Sequence, residues 1–290
     1  MSRLGPAAPI AWREFSTVVR TRSYALLSVG LLAVFTGTVG IGGGFEGGYV
    51  PTAVDLLLPL ELLVPVAAVA LGYRAFGGEN DDRPVLLSYP VSKRSLVAGV
   101  FAGRLVGLVG IVGSPLIVVG LAVSYVGGPE SRVFATHGGA DSAILFVRFL
   151  ALTISFGAVV LAMAIAASVF VRTSRAALVA AFAVLVVVVA GGDLSALAGI
   201  TTGVIDGEGL GTALAVSPNA AYRGLVLETV VGAVADRDGA INVPVAVAGL
   251  AGWLLVSLGV IVAGLDRRSF SGLRTRLNGA IRWLSDAFDR

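Results

Sequence analysis

Long apolar runs separated by short polar segments dominate this chain of 290 residues. Six of the runs approach or exceed the ~20 residues that a helix needs to cross the hydrocarbon core of a bilayer. The pattern therefore predicts an all-α integral membrane protein with six transmembrane helices. The predicted spans are 24–41, 53–73, 96–125, 144–171, 176–192 and 243–265.

The two ends of the chain carry another pattern, in which apolar and charged residues share helical spacing. Near the N-terminus, Ile10 and Val19 fall near one side of a helix, and Arg13 and Glu14 fall elsewhere. This arrangement predicts an amphipathic helix that lies in the membrane interface. The segment 271–290 repeats the pattern, so we expect an amphipathic cytoplasmic helix that contacts the membrane or a partner.

The segment between the fifth and sixth predicted spans is not simply polar. Its stretches 194–205 and 225–234 are apolar but too short to cross a bilayer. They lie on either side of a predicted turn at Ser217 and Pro218. We therefore expect re-entrant or interfacial helices there.

Composition supports the membrane assignment. Hydrophobic residues make up 56% of the chain and charged residues only 13%, and the mean hydropathy is +0.92. A net charge of +3 would suggest nucleic acid as a partner of a soluble domain, but 16 of the 21 Lys and Arg residues lie at the two ends of the chain and in the loops after the second and fourth predicted spans. By the positive-inside rule, these loops predict that both termini and the loop 73–99 are cytoplasmic, and we expect no nucleic-acid binding.

Several kinds of chemistry are excluded by residue content. The chain has no cysteine, so it has no thiolate nucleophile and no cysteine-containing metal site. Its only lysine, Lys93, follows Val91 and Ser92, which rules out a Walker A phosphate loop. His137 is the only histidine, and one imidazole without cysteine or a second histidine is weak evidence for a metal site. We expect no catalytic residues, no metal and no cofactor.

Among the charged side chains within predicted spans, where charge is costly and often functional, three form the candidate polar site: Glu61, Asp55 and Arg104. Glu61 lies inside the second span, and Asp55 lies near its outer end. These acids form a possible polar site in the membrane; they either relay protons or cations, or pair with a neighbour. Arg104 belongs to the third span, and we interpret it as a residue whose guanidinium reaches back to the interface.

The loop 73–99 concentrates acidic and basic residues around a short apolar stretch that includes Leu86, Leu87 and Tyr89. An ordinary charged loop would not need these apolar side chains. A short helix ending before Pro90 could place them in a groove on a soluble partner, with the flanking charges setting the register.

Three parts of the chain carry motifs that are similar to those of one known family. In the N-terminal region these are Trp12, Arg13, Glu14 and Phe15, and in the outer segment before the last span they are Ser217 to Arg223. Around the second span and the following loop they are Leu57, Leu58, Pro59, Leu60, Val64, Pro65, Val66, Leu71, Gly72, Tyr73, Arg74, Glu79, Leu86, Leu87, Ser88, Tyr89, Pro90 and Gly99. On these residues the chain resembles type-2 ABC transporter permeases, most closely the copper-processing NosY-like branch, over nearly its whole length to about Phe270. Trp12 to Phe15 are similar to the elbow helix of that family.

The resemblance implies a six-span permease domain over 1–270 followed by the tail helix 271–290. It implies that the loop after the second span docks on a separate ABC ATPase subunit. The implied contact residues are Glu79, Asp82, Arg83, Leu86, Leu87, Ser88, Tyr89, Pro90, Ser92 and Arg94. It further implies export across a prokaryotic plasma membrane, surrounding lipid, and a homodimer or a pair with a paralogous permease. Two alternatives remain: a stand-alone secondary transporter or channel that uses Glu61, and a membrane assembly factor that transports nothing.

Overall fold

The computed structural model describes residues 7–76, 92–126, 141–204, 207–233 and 241–288, and these residues form helices without any strand. Six helices are long and apolar enough to cross a membrane: α2, α4, α5, α6, α7 and the part Val243–Leu265 of α10. The predicted all-α membrane fold is therefore confirmed. In chain order the helices are α1 (Ala7–Arg20), α2 (Arg22–Gly42), α3 (Gly44–Gly47), α4 (Tyr49–Gly72), α5 (Lys93–Val126), α6 (Ala143–Phe170), α7 (Ser174–Thr201), α8 (Gly207–Val216), α9 (Pro218–Val226) and α10 (Val243–Phe288).

Local residue chemistry sets where several helices begin. The hydroxyl of Ser92 accepts a hydrogen bond from the backbone N–H of Ser95, 3.1 Å away, and caps the start of α5. The hydroxyl of Thr173 caps α7 in the same way. The short helix α3 lies between Gly43 and Gly48, whose φ angles of 80° and 103° suit glycine and let the chain turn back between α2 and α4.

Two of the spans contain a π-helical turn. In α5 the turn Val109–Gly113 is followed by Ser114 and then by Pro115, which lacks a backbone N–H, so the irregularity lies beside the proline. In α7 the turn Val187–Gly191 carries the helix through two glycines and on to Thr201. The fifth span was therefore predicted too short, and the stretch 194–205 was wrongly separated from it, because the helix continues through this π-turn beyond Gly192.

The centre of the protein is α6. Its most apolar window is 67% buried, whereas that of α7 is only 11% buried. Small residues allow close packing here. A Cβ on Gly72 of α4 would come within 2.6 Å of Ala164, and one on Gly157 of α6 would come within 2.8 Å of Leu108. Close approach of helix backbones at small residues is typical of membrane bundles.

The segments outside the spans are also helical. Between the fifth and sixth spans, α8 and α9 meet at Ser217. Short helices were predicted over 194–205 and 225–234, but the first of these stretches belongs largely to α7 and only the second is helical outside a span. A re-entrant or interfacial position of these helices stays a prediction. A π-turn, Leu227–Val231, extends α9. At the C-terminus, α10 runs as one helix through the predicted tail, and no helix break marks the boundary predicted at residue 270.

Candidate functional site

The predicted contact with an ATPase subunit leads directly into α5. Two of its residues belong to the described part of the chain: Ser92 caps α5 and Arg94 lies in its first turn, and both are exposed. The other eight lie outside the described residues: Glu79, Asp82, Arg83, Leu86, Leu87, Ser88, Tyr89 and Pro90. A partner that binds this segment would therefore act on the start of α5.

The helix α1 packs parallel to the first half of α5 along a row of glycines spaced four residues apart. A Cβ on Gly99 would come within 2.7 Å of Ile10, one on Gly103 within 2.4 Å of the carbonyl oxygen of Ala11, and one on Gly107 within 2.9 Å of Val18. Residues four apart lie on one face of a helix. The glycines thus form a groove that brings the two backbones together.

A buried ion pair crosses this contact. The Nε of Arg104 lies 3.0 Å from Oε2 of Glu14, and both side chains are largely buried. Arg104 also donates a hydrogen bond from Nη1 to the backbone carbonyl of Leu71 near the end of α4. This one guanidinium therefore joins α1, α5 and α4.

These contacts bear on two residues of the sequence analysis. Glu14 and Leu71 hold the guanidinium of Arg104 within the helix contact, and the depth of Arg104 in a membrane stays a prediction. Glu14 was placed on the polar side of α1, but it is only 8% exposed, because it pairs with Arg104 on the face that packs against α5. Val19, on the apolar side, is 63% exposed, and an apolar residue of a membrane protein can face lipid there.

The second intramembrane acid site is a network around Arg223 of α9. Its Nε lies 3.0 Å from Oε1 of Glu61 in α4, and its Nη2 lies 3.0 Å from Oδ2 of Asp193 in α7. The amide of Asn219 donates to the other oxygen of Glu61 over 3.4 Å. Of the two roles considered for Glu61, the structure places it in a pair with a neighbour.

The charge of Arg223 is secured by these neighbours. Burial lowers the pKa of Arg223, but Asp193 and Glu61 outweigh burial and raise it above its usual value. The adjacent Tyr222 anchors α9 to α6, since its hydroxyl lies 2.9 Å from that of Thr153 and its ring stacks on Phe156. The network and this anchor together tie the outer helix α9 to three of the spans.

Asp55 lies apart from the network around Arg223. Its carboxylate lies against the turn between α2 and α3, where a Cβ on Gly42 would come within 2.3 Å of Oδ2. It is six residues from Glu61, which is about 9 Å along a helix and on a different side of it. The predicted polar site of Glu61, Asp55 and Arg104 is therefore three separate environments.

Within the part of the chain that the structure describes, no group of three or more His, Cys, Asp or Glu residues could hold a metal ion. The polar side chains described above form ion pairs and hydrogen bonds between helices. Such contacts can be exchanged between two arrangements of a bundle, which is conformational work and not covalent chemistry.

Sequence reasoning missed the partners of the polar residues that it singled out. Glu14 was treated as a surface residue, and Arg223 and Asp193 as parts of an outer segment. One signal was available for Glu14: the glycine spacing at 99, 103 and 107 marks a groove for another helix. Nothing in the local sequence of Arg223 indicates that it faces Glu61.

Comparison with known proteins identifies one match. The sequence model of the family described as ABC-2 family transporter protein matches residues 8–270 of this chain. The match includes α1 and all six spans. A search of curated proteins finds no match.

Proposed function

Since this chain belongs to the ABC-2 transporter family, we propose that it is the permease subunit of an ATP-driven export system whose ATPase is a separate subunit. The observation that carries the proposal is the family match over 8–270, which covers every membrane span. The only lysine of the chain, Lys93, does not follow a glycine, so a Walker A loop cannot be formed here. ATP must then be bound by a partner.

The geometry around α5 supports a route by which a bound ATPase would move the spans. The proposed docking segment 79–94 leads into α5 at Ser92. Arg104, in the first half of that helix, holds both Glu14 of α1 and the Leu71 carbonyl of α4. A displacement of the start of α5 would therefore be passed to α1 and α4 together. The permease would act by changing between two conformations that bind their ligands with different affinity, and no covalent step is involved.

Further features of the proposal rest on the sequence. We place both termini and the docking segment in the cytoplasm of a prokaryotic cell, and the chain in its plasma membrane. Membrane lipid surrounds the spans, and the working unit contains two copies of the chain or one copy with a paralogous permease. Placement in the NosY-like branch stays a prediction. The absence of cysteine and the presence of only two methionines disfavour passage of a copper ion through this chain.

The proposal is tested by purifying the tagged chain from its native cells in mild detergent, identifying co-eluting proteins by mass spectrometry, and measuring ATP hydrolysis. A stoichiometric P-loop ATPase is expected. It should be lost when Leu86 and Leu87 are both replaced by glycine, or after Arg94→Glu. The matched control is Arg172→Glu with Arg175→Glu, which reverses charge in the loop between α6 and α7 and in the first turn of α7 and should leave the complex intact. A chain that elutes without any ATPase would contradict the proposal.

The alternative of a stand-alone transporter depends on Glu61 as an acid that exchanges protons or ions. Its pairing with Arg223 and Asn219 favours a structural role for Glu61. Flux measured in reconstituted vesicles distinguishes the two proposed functions. The alternative requires proton-dependent or ion-dependent flux without an ATPase, and loss of that flux in Glu61→Gln.

A further inference from the structure

A cavity of about 250 Å³ lies where α6, α7 and α10 meet the junction between α8 and α9. It occupies the space beside the π-turn of α7, and π-turns frequently occur at functional sites. Its apolar lining is drawn from five helices: Met163, Val187, Val188, Val216, Pro218 and Trp253. The polar lining consists of two serines, Ser195 and Ser217.

Ser217 supplies an unused hydrogen-bonding group in this cavity. Among the described residues, its buried Oγ has no hydrogen-bond partner. It is held against Gly192, where an added Cβ would come within 1.9 Å of that oxygen. The other polar group nearby is already used, since the indole Nε1 of Trp253 donates to the carbonyl of Val216 over 2.8 Å. A buried hydroxyl without a partner costs stability, and a ligand toward which the Ser217 side chain turns from Gly192 would recover that cost.

The cavity borders the outer surface of the bundle. Val187 and Val216 line it, yet they are 53% and 52% exposed on the molecule. The helix α7, which forms one wall, is the least buried of the six spans. In a bilayer such an apolar surface is covered by lipid or by another apolar surface, so a molecule dissolved in the membrane can reach the cavity sideways.

We propose that this cavity binds the alkyl chain of an amphiphile from the membrane, with a hydroxyl or amide of that molecule hydrogen-bonded to Ser217. The size favours a single narrow chain, because pockets for drug-sized ligands measure roughly 300–1,000 Å³. The lining provides apolar contact along the chain and a single polar anchor. The amphiphile is either a phospholipid that stays bound or a single-chain molecule that exchanges. The site does not depend on the export function.

Trp253 provides a direct reporter, since it lines the cavity. The purified full-length chain with Trp12→Phe and Trp283→Phe retains Trp253 as its only tryptophan. Two probes are titrated in detergent: a single-chain alcohol brominated along its chain, and a phosphatidylcholine with brominated acyl chains. We expect the fluorescence of Trp253 to be quenched to a plateau. A plateau with the alcohol identifies an exchanging single-chain ligand, and one with phosphatidylcholine alone identifies a resident lipid.

Glycine positions allow matched controls. Gly191 lines the cavity and a Cβ there meets only Val187, at 3.7 Å, so Gly191→Leu should fill the space without a clash and raise the Kd at least tenfold. Gly37 has nothing within 4 Å, so Gly37→Leu should leave the Kd unchanged. Ser217→Ala should weaken binding of the brominated alcohol by about fivefold. It should leave unchanged the binding of a third probe, a bromoalkane of the same chain length that has no hydroxyl.

Two outcomes would overturn the proposal: quenching that rises linearly without a plateau, and a plateau that is the same in the parent and in Gly191→Leu. If Gly191→Leu does not elute as a folded species, Val187→Phe replaces it. Val187 lines the same cavity and is half exposed, so a larger ring is tolerated there.

Discussion

The ion pair between Glu14 and Arg104 makes a quantitative prediction about how α1 is held to α5. The side chains are 11% and 16% exposed, and their charged atoms are 3.0 Å apart. Removing one charge of a buried pair costs about 3–5 kcal/mol, because the other charge stays buried without compensation. In Glu14→Gln, Arg104 keeps the carbonyl of Leu71. We therefore expect the lower end, about 3 kcal/mol of unfolding free energy.

A double-mutant cycle separates the pair from general disruption of the contact. Arg104→Met removes the guanidinium and leaves Glu14 with only the exposed Arg13 as an opposite charge, whereas the double variant with Glu14→Gln removes both charges of the buried pair. The double variant should therefore be less destabilised than the sum of the single variants, by about 2 kcal/mol. The assay is thermal unfolding of the purified chain in detergent. At roughly 2 °C per kcal/mol for a chain of this length, Glu14→Gln should lower the midpoint by about 6 °C.

Arg13 provides the matched control on the same helix. It also approaches Glu14, but over 3.8 Å and with a side chain that is 51% exposed. An exposed pair contributes no more than about 1 kcal/mol, so Arg13→Gln should shift the midpoint by less than about 2 °C. If Glu14→Gln behaves like this control, or if the double variant is strictly additive, the ion pair does not hold α1 in place.

The remaining predictions use the same unfolding assay. Gly103→Ala should destabilise by about 1–3 kcal/mol, because its Cβ would collide with the backbone of α1, while Gly110→Ala in the open π-turn of the same helix should be within about 1 kcal/mol of the parent. Glu61→Gln should cost about 1–2 kcal/mol, since Arg223 keeps its other carboxylate partner in α7; a cost above about 4 kcal/mol would show that Glu61 carries the network alone. Tyr222→Phe should cost about 1 kcal/mol through its lost hydrogen bond to α6, and an unchanged midpoint would show that the hydroxyl contributes nothing.

The fold could be predicted from the sequence to a large extent because its main determinants are local. A helix satisfies its own backbone hydrogen bonds, so an apolar run of sufficient length predicts a span without knowledge of its neighbours. All six spans were found in this way, and the family resemblance identified the chain as a permease. The length of α7 was the exception. Gly191 and Gly192 are typical of a loop and do not show that a π-turn continues the helix.

The partners of the charged residues were decided only by the tertiary structure. Glu61 and Arg104 are conspicuous in the sequence because charge is costly in a span, but this cost says only that partners must exist. Their partners, Arg223 and Glu14, lie 162 and 90 positions away in the chain. Both partners belong to helices that the sequence predicts outside the spans. Which side chains meet depends on the rotation and depth of each packed helix. These quantities follow from the packing of the whole bundle, and no local stretch of sequence contains them.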